Sequence, residues 1–260
     1  MKTESKTLYI PLYGKAFVSK KGIILSDKKA EEIWEKEKFP LGGKSKSKWL
    51  AYFMGMRSAV IDSWVSEKLS EKPESTVLHI GCGLDSRIER VKAPFEKWFD
   101  VDFPEVINQR RKYYEETALY KMISGDLRET DWQEQLPEGD VIVILEGISM
   151  YLRPDELKAA VENLYTRFEN AHILMDCYTE FAARASKYKN PINDVGVTEV
   201  FGMDDPNVLP GFIREHEMTP QDLIDQLQGM EKRIFASVFA GGVAKKMYRL
   251  YEYRMKKESK

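Results

Sequence analysis

From about residue 75 onward, short apolar runs alternate with segments of helical periodicity. Thr76–Ile80 reads as a buried strand, followed by Lys97–Val101 with Trp98 and Phe99, and by a weaker run at Tyr120–Ile123. Asp140–Leu145 is continuous and β-branched, the pattern of a central parallel strand, and Ala171–Met175 is a fifth run. Helical starts lie between them. Pro104 is followed by Glu105, and Pro154 by Asp155 and Glu156, residues that suit the first turn and the positive end of a helix dipole. Leu157, Val161, Leu164, Tyr165 and Phe168 then form one apolar stripe, wide enough to cover a sheet. This alternation predicts an α/β fold with a doubly wound, mostly parallel sheet and right-handed crossovers.

Both ends depart from that rhythm. Ala30–Lys38 and Trp49–Leu69 predict helices. The second carries Trp49, Tyr52, Phe53, Met56, Val60, Ile61 and Trp64, a stripe that serves either as core packing or as a cover for a ligand site. Residues 1–70 are therefore expected to form a helical cap belonging to the same domain as residues 71–260. Ile234–Phe239 and Lys246–Tyr253 are β-rich runs around Gly241-Gly242, which predicts a C-terminal hairpin and an antiparallel last strand. The stretch 187–214 is rich in Pro, Asp, Asn and Gly and too long for an ordinary connection. It is expected to be disordered or a lid, with Pro191, Phe201 and Phe212 favouring order.

Composition changes this picture little. Forty basic residues face 42 acidic ones, a formal net charge of −2, so no global basic field draws nucleic acid or membrane lipid. The clusters Lys44-Ser-Lys46-Ser-Lys48 and Lys256-Lys257 read as a solvated loop and tail. With only two cysteines, Cys82 and Cys177, no disulfide framework is expected, and Cys82 reads as a small filler in a tight turn. The first residues are polar, without the apolar segment of a signal peptide, and the longest apolar run, Val141–Leu145, is far below membrane-spanning length. A soluble cytoplasmic protein is the expectation. No metal-ligand spacing is visible.

The candidate chemistry centres on Val77-Leu-His-Ile-Gly-Cys-Gly-Leu-Asp-Ser-Arg87. A strand runs into Gly81-x-Gly83, and Asp102 ends the next strand, the layout of a nucleotide-binding βαβ unit. The glycines allow close backbone approach, and the acid can accept ribose hydroxyls. Position 86 is Ser, so the third glycine of the dinucleotide fingerprint is missing, and no second phosphate cradle is evident. A nucleoside cofactor without a pyrophosphate fits better, namely S-adenosylmethionine.

Five separated motifs resemble the leucine carboxyl methyltransferase superfamily, in particular its bacterial branch associated with polyketide O-methylation. They are Thr7-Leu-Tyr-Ile-Pro-Leu-Tyr-Gly14, Met56-Arg-Ser-Ala-Val-Ile-Asp62, His79-Ile-Gly-Cys-Gly-Leu-Asp-Ser-Arg87, Phe99-Asp-Val-Asp-Phe-Pro-Glu-Val106 and Leu145-Glu-Gly-Ile-Ser-Met-Tyr-Leu152. The resemblance implies a seven-stranded Rossmann-like sheet with an antiparallel last strand. It puts Arg57 on the cofactor carboxylate, with Arg87 as the competing candidate or as an ion pair bracing the glycine loop. His79, Gly81, Gly83 and Asp85 fall in the glycine-loop motif, although His79 also suits the core of a strand. Asp102 and Phe103 belong to the second-strand motif, and Asp102 is preferred over Asp100 as the ribose acceptor. Asp126 and Leu127 follow the third strand, where adenine is read; a helix cap at Asp126 is the alternative. Glu146 would meet the cofactor ammonium. The chain departs from the family at Asp27-Lys28-Lys29, where an Asp-Pro step is usual.

Methyl transfer asks the protein mainly to hold an oxygen nucleophile in line and exclude water. A small-molecule carboxylate needs no general base; a phenol or other hydroxyl needs one or a lowered pKa. Tyr151 is a candidate for shaping the transfer site. Among the three histidines, His79 and His172 fall in strands, which leaves His216 as the candidate base. Two other classes stay open. A nucleotide-dependent oxidoreductase on a Rossmann sheet is disfavoured by Ser86 and the C-terminal hairpin; a non-catalytic methyltransferase-like binding module would lack turnover.

Overall fold

The protein is represented by a computed structural model that describes residues 7–189, 199–242 and 246–256. Five parallel strands form the centre: β1 (Thr76–Ile80), β2 (Lys97–Asp102), β3 (Tyr120–Ser124), β4 (Asp140–Leu145) and β5 (Asn170–Tyr178). β6 (Phe212–Glu215) and β7 (Tyr248–Lys256) complete a seven-stranded sheet in the order β3-β2-β1-β4-β5-β7-β6. β7 runs antiparallel to both β5 and β6. Strand order reverses between β1 and β4, the switch point at which open α/β sheets bind ligands. Register matters most for the site. Ile80 pairs with Val101 and Leu145, and Leu145 pairs with Met175, so the residues that follow these four lie at one level along the sheet.

Helices cover both faces. α1 (Tyr9–Lys21), α2 (Lys28–Glu37) and α3 (Lys48–Glu71) form the N-terminal layer; the short α4 (Arg87–Arg90) and α5 (Pro104–Arg110) follow β1 and β2. Trp64, Ile61 and Tyr9 pack in one cluster with Val77 and Trp98 of the sheet, so the cap and the sheet share a core. On the other face α6 (Pro154–Arg167) buries Leu157, Val161 and Leu164 against Leu78 and Val143. Its stripe matches the predicted one because i, i+4, i+7 positions share one helix face. α7 (Glu180–Lys189), α8 (Gln221–Ile224) and α9 (Gly229–Ile234) complete the chain.

Two expectations are corrected. The predicted C-terminal hairpin around Gly241-Gly242 does not form. Ile234 ends α9, and Phe235–Phe239 continues as a π-helical turn. The apolar residues of that run are used at i, i+4 spacing instead of alternately. Phe235 is fully buried beside Tyr52, and Phe239 stacks on Phe235 and Trp49 at 5.6 and 5.7 Å. Second, the antiparallel partner of β7 is β6, taken from the stretch read as a lid. In the described part of that stretch, Phe201 N donates to Met150 O at 2.8 Å and Met203 N to Tyr178 O at 2.7 Å, which ties it to the sheet edge. Pro191 and the rest of 190–198 lie outside the described residues. Most of the Thr7–Gly14 signature is the first half of α1, within the segment expected to be helical. No helix among the described residues is long and apolar enough to cross a membrane.

The helical reading of the C-terminal run is testable. Phe235→Ala empties a sealed aromatic position and should cost about 3–5 kcal/mol in urea denaturation. Val238→Ala, exposed on the same turn, should stay within about 0.5 kcal/mol. Equal losses at both positions would contradict the helical arrangement.

Candidate active site

The strand ends supply the site. After β1 the backbone turns sharply through Gly81 (φ 68°) and Gly83 (φ 52°). Both need the left-handed region, and a Cβ at Gly81 would meet Ile148 Cγ2 at 2.2 Å. Gly83 N donates to Asp102 Oδ2 at 2.8 Å and Phe103 N to Asp102 Oδ1 at 2.7 Å, so the glycine loop is clamped to the end of β2. Burial pushes the Asp102 carboxyl up to about 6 despite these two amides. Asp100 lies two residues earlier and fully sealed. It accepts from the Arg110 guanidinium, from Tyr120 Oη at 2.6 Å and from Trp98 Nε1 at 3.0 Å. Asp102 lines the cavity described below; Asp100 does not.

Beneath the loop runs a connected chain of nine charged groups. Lys15 pairs with Asp85, and Arg90 bridges Asp85, Asp27 and Asp62 at 3.1, 2.6 and 2.6 Å. Arg87 joins Asp62 and Glu146, both at 2.6 Å, and Arg57 joins Glu146 and Asp176, both at 2.7 Å. All but Asp62 and Arg90 are buried. Burial opposes ionisation of Asp85 and Glu146, but Arg90, Lys15 and Arg87 hold the first, and Arg57 and Arg87 the second, well below the usual carboxylate range. Asp176 shifts the other way, because burial and the neighbouring Glu146 outweigh Arg57. Arg57 also donates from Nη1 to Tyr248 Oη at 2.9 Å, and Tyr248 Oη donates to Asp176 Oδ2 at 2.8 Å.

A cavity of about 410 Å³ opens above this chain. It is lined by Arg57, His79, Gly81, Gly83, Asp85, Asp102, Phe103, Asp126, Leu127, Glu146 and Tyr151, which gathers most of the sequence-derived site. His79 is almost completely sealed, 3.1 Å from Arg87 Nη1, and burial lowers its pKa. Asp126 is not a helix cap. It opens a turn, accepting from Arg128 N at 3.0 Å and Arg128 Nε at 2.9 Å. Arg87 stands behind the wall, spent on Asp62, His79 and Glu146. His216 is elsewhere: Nε2 bonds Glu252 at 2.7 Å, and the ring lines a second cavity of about 260 Å³. Cys82 faces the first cavity with its thiol raised well above the usual value by burial, consistent with a filler.

Sequence reasoning missed Lys15, Arg128, Tyr178, Asp176 and Tyr248. Two of these had a signal. Leu8, Pro11, Leu12 and Lys15 line the cavity at the spacing of one helix face, which a helix over the first motif would have revealed. Asp176 follows Met175, which pairs with Leu145, so it is the neighbour-strand counterpart of Glu146.

Comparison with known proteins settles the family. The leucine carboxyl methyltransferase family model matches residues 2–165. The chain belongs to the leucine carboxyl methyltransferase family. It is a methyltransferase that uses S-adenosylmethionine. Its relatives include the tetracenomycin polyketide synthesis O-methyltransferase TcmP of Streptomyces glaucescens, 26% identical over 238 residues and 88% of each chain. The S-adenosyl-L-methionine-dependent methyltransferase dpfgK of Gibberella zeae is 27% identical over 182 residues, 64% of this chain and 61% of its own. Among solved structures, magnesium protoporphyrin IX methyltransferase from Synechocystis shares the fold, with a TM-score of 0.51, 12% identity and coverage of 88% and 93%.

The leucine carboxyl methyltransferase site suits that cofactor. The glycine turn leaves room where a Cβ would clash, Asp102 and Asp126 offer acceptors at one side, and the buried chain lies at the other. Four cations face five carboxylates in that chain, a formal excess of one negative charge, the sign that suits a ligand of net positive charge.

Breaking the chain in the middle is the sharpest test of its structural role. Glu146→Gln leaves Arg57 and Arg87 without their shared carboxylate and should destabilise the fold by about 3–5 kcal/mol. In the wild type, depressed carboxyls at Asp85 and Glu146 stabilise the fold fully above the unfolded carboxylate range, and this is lost as pH falls through their lower folded values. Their contribution should therefore be constant from about pH 6 to 8 and fall away below about pH 4. A chemical-denaturation midpoint in Glu146→Gln equal to wild type would refute the role.

Proposed function

We propose that the protein is an O-methyltransferase acting on a small molecule, with a carboxylate or an acidic phenol as the acceptor. One observation carries this reading: among the described residues, no histidine or cysteine is poised as a general base at the cavity. His79 is sealed, Cys82 is held protonated and His216 lines a different cavity. Tyr151 is no base either, since burial raises its hydroxyl. An acceptor that is already anionic fits such a site. The printed activity of TcmP, an O-methyltransferase of polyketide synthesis, supports the same chemistry.

Placement at the cavity supports the following residue roles. Arg57 and Lys15 meet the amino-acid carboxylate of the cofactor, and Glu146 its ammonium. Four of the five Arg57 N–H groups are engaged with Glu146, Asp176 and Tyr248, so its contact is single and Lys15 shares the work. Arg87 braces the loop from behind, with Asp85. Asp102 accepts the ribose hydroxyls, Asp126 and Leu127 read the adenine, and Phe103 closes that side. Tyr151, Tyr178 and Tyr248 shape the acceptor side and exclude water. S-adenosylmethionine, when bound, supplies an activated methyl group to an oxygen lone pair and departs as the thioether. A carboxylate acceptor then yields an ester with no proton to move; a phenol must first lose its proton to solvent. The helical cap, residues 1–70, works as part of the same domain as residues 71–260.

Calorimetry should show binding of S-adenosylhomocysteine and none of NAD. Asp102→Ala should weaken that binding by about 1–3 kcal/mol, and Asp100→Ala should act on stability instead. Because the Asp102 carboxyl titrates near 6, cofactor affinity should rise between pH 5 and 7 as it ionises, and Asp102→Asn should flatten the rise. Transfer to a carboxylate should be nearly independent of pH from about 6 to 8, whereas a phenol should react faster toward its own pKa. Binding of the cofactor without turnover on any acid or phenol of a broad panel would reduce the protein to a binding module.

A further inference from the structure

We infer that Arg128 reads the cofactor base jointly with Asp126. The carboxylate takes the amino group of the adenine, and the guanidinium donates to the ring nitrogen beside it. The inference rests on the assignment of the adenine to Asp126 and Leu127 and adds the residue that completes the contacted edge.

Three basic side chains line the cofactor cavity: Lys15 and Arg57 are buried, whereas Arg128 stands exposed at its rim. Arg128 lies just after β3, on the turn that Asp126 opens. That turn is held firmly. Gly125 N donates to Asp102 O and Glu129 N to Asp126 O, both at 2.9 Å, and Trp132 Nε1 donates to Asp126 O at 2.8 Å. A Cβ at Gly125 would meet the Trp132 ring at 2.6 Å, so the turn rests directly on the indole. Leu127 is buried on the turn and lines the cavity beside both charged residues. A base arriving here meets groups that are already in place, which lowers the ordering cost of binding.

The two side chains form one unit. Arg128 Nε donates to Asp126 Oδ1 at 2.9 Å and to Oδ2 at 3.1 Å, and Nη2 donates to Oδ2. With side chains 42% and 18% exposed, such a pair adds little stability. What it fixes is orientation. A guanidinium has five N–H groups, and only those of Nε and one of Nη2 are used here. The second N–H of Nη2 and both of Nη1 bond no group among the described residues. Oδ2 and Nη2 are in direct contact, so an acceptor and a donor stand side by side at the cavity. Adenine shows the complement, an amino donor beside a ring-nitrogen acceptor. A purine with oxygen in place of the amino group would turn an acceptor toward the carboxylate and leave both unsatisfied.

The probes are S-adenosylhomocysteine and its 1-deaza and 7-deaza counterparts, in which one ring nitrogen beside the amino group becomes C–H. Each is titrated by calorimetry into wild type, Arg128→Ala and Asp126→Ala. Arg128→Ala should weaken S-adenosylhomocysteine about fivefold to twentyfold, the loss of one charge-assisted hydrogen bond. One deaza probe should bind the wild type more weakly by a similar factor. In Arg128→Ala that probe and S-adenosylhomocysteine should bind within about twofold of each other, because the nitrogen and its donor act as one pair. The denaturation midpoint of Arg128→Ala should stay at the wild-type value, since the side chain is exposed. Equal weakening of all three probes in Arg128→Ala would show that the residue only braces the turn, and would overturn the inference. So would a deaza penalty that persists in the variant, or an unchanged affinity for S-adenosylhomocysteine. Asp126→Ala separates this failure from failure of the adenine assignment. If that variant binds S-adenosylhomocysteine as tightly as wild type, the base lies elsewhere and both fall. If it binds more weakly while Arg128→Ala shows no coupling to either nitrogen, only the role of Arg128 is removed.

Discussion

The structure hinges on the buried chain from Lys15 to Asp176. It links α1, α3, α4 and the ends of β4 and β5, elements far apart in sequence, through charges almost fully removed from water. Such a chain adds little net stability over a well-packed apolar core, because desolvation offsets most of the attraction. Removing any one member is a different matter, since its partners are then left charged and unpaired. What the chain secures is position. Glu146 cannot move without disturbing two arginines, and Arg57 cannot move without disturbing Glu146, Asp176 and Tyr248. A floor built this way presents fixed charge to a ligand and needs little rearrangement when it binds.

Sheet register converts that floor into a site. Parallel strands β1, β2 and β4 end at one level and β5 runs on past it, so Gly81, Asp102, Glu146 and Asp176 lie side by side. The turn after β1 can pass close above them only because two of its residues tolerate left-handed backbone. The same turn is held down by Asp102, which leaves that carboxylate both a structural clamp and a cavity-facing acceptor. Asp100, on the same strand, shows the contrast. Arg110 of α5 closes over it, so an acid two residues away is purely internal.

How much of this was legible in the sequence depended on whether local pattern and tertiary setting agreed. The five parallel strands were readable because β-branched runs such as Val141–Leu145 have no competing helical use in a doubly covered sheet. Gly81, Asp102 and Glu146 were readable because strand ends mark the ligand edge of such a sheet. Ile234–Phe239 was misread, because a short apolar run does not reveal its own period. Only the aromatic surface of α3, with Tyr52 and Trp49, makes the helical spacing of Phe235 and Phe239 the better choice. Arg57 and Arg87 could be singled out but not told apart. Both carry the same charge, and only the fold shows which one reaches the cavity.

This division has a functional logic. The cofactor side is built from strand ends and a glycine turn, features set by short-range sequence and by register. The second cavity is built from the cap, the segment after β6, the π-turn and the first residue of β7. Those elements meet only through long-range packing, and they are where the sequence reading failed. Tyr248 lines both cavities: its hydroxyl is held by Arg57 and Asp176, and its ring meets Phe53 and Tyr178. A shift of that ring must also disturb Arg57 and Asp176, so the packing of the second cavity and the geometry of the buried chain depend on each other.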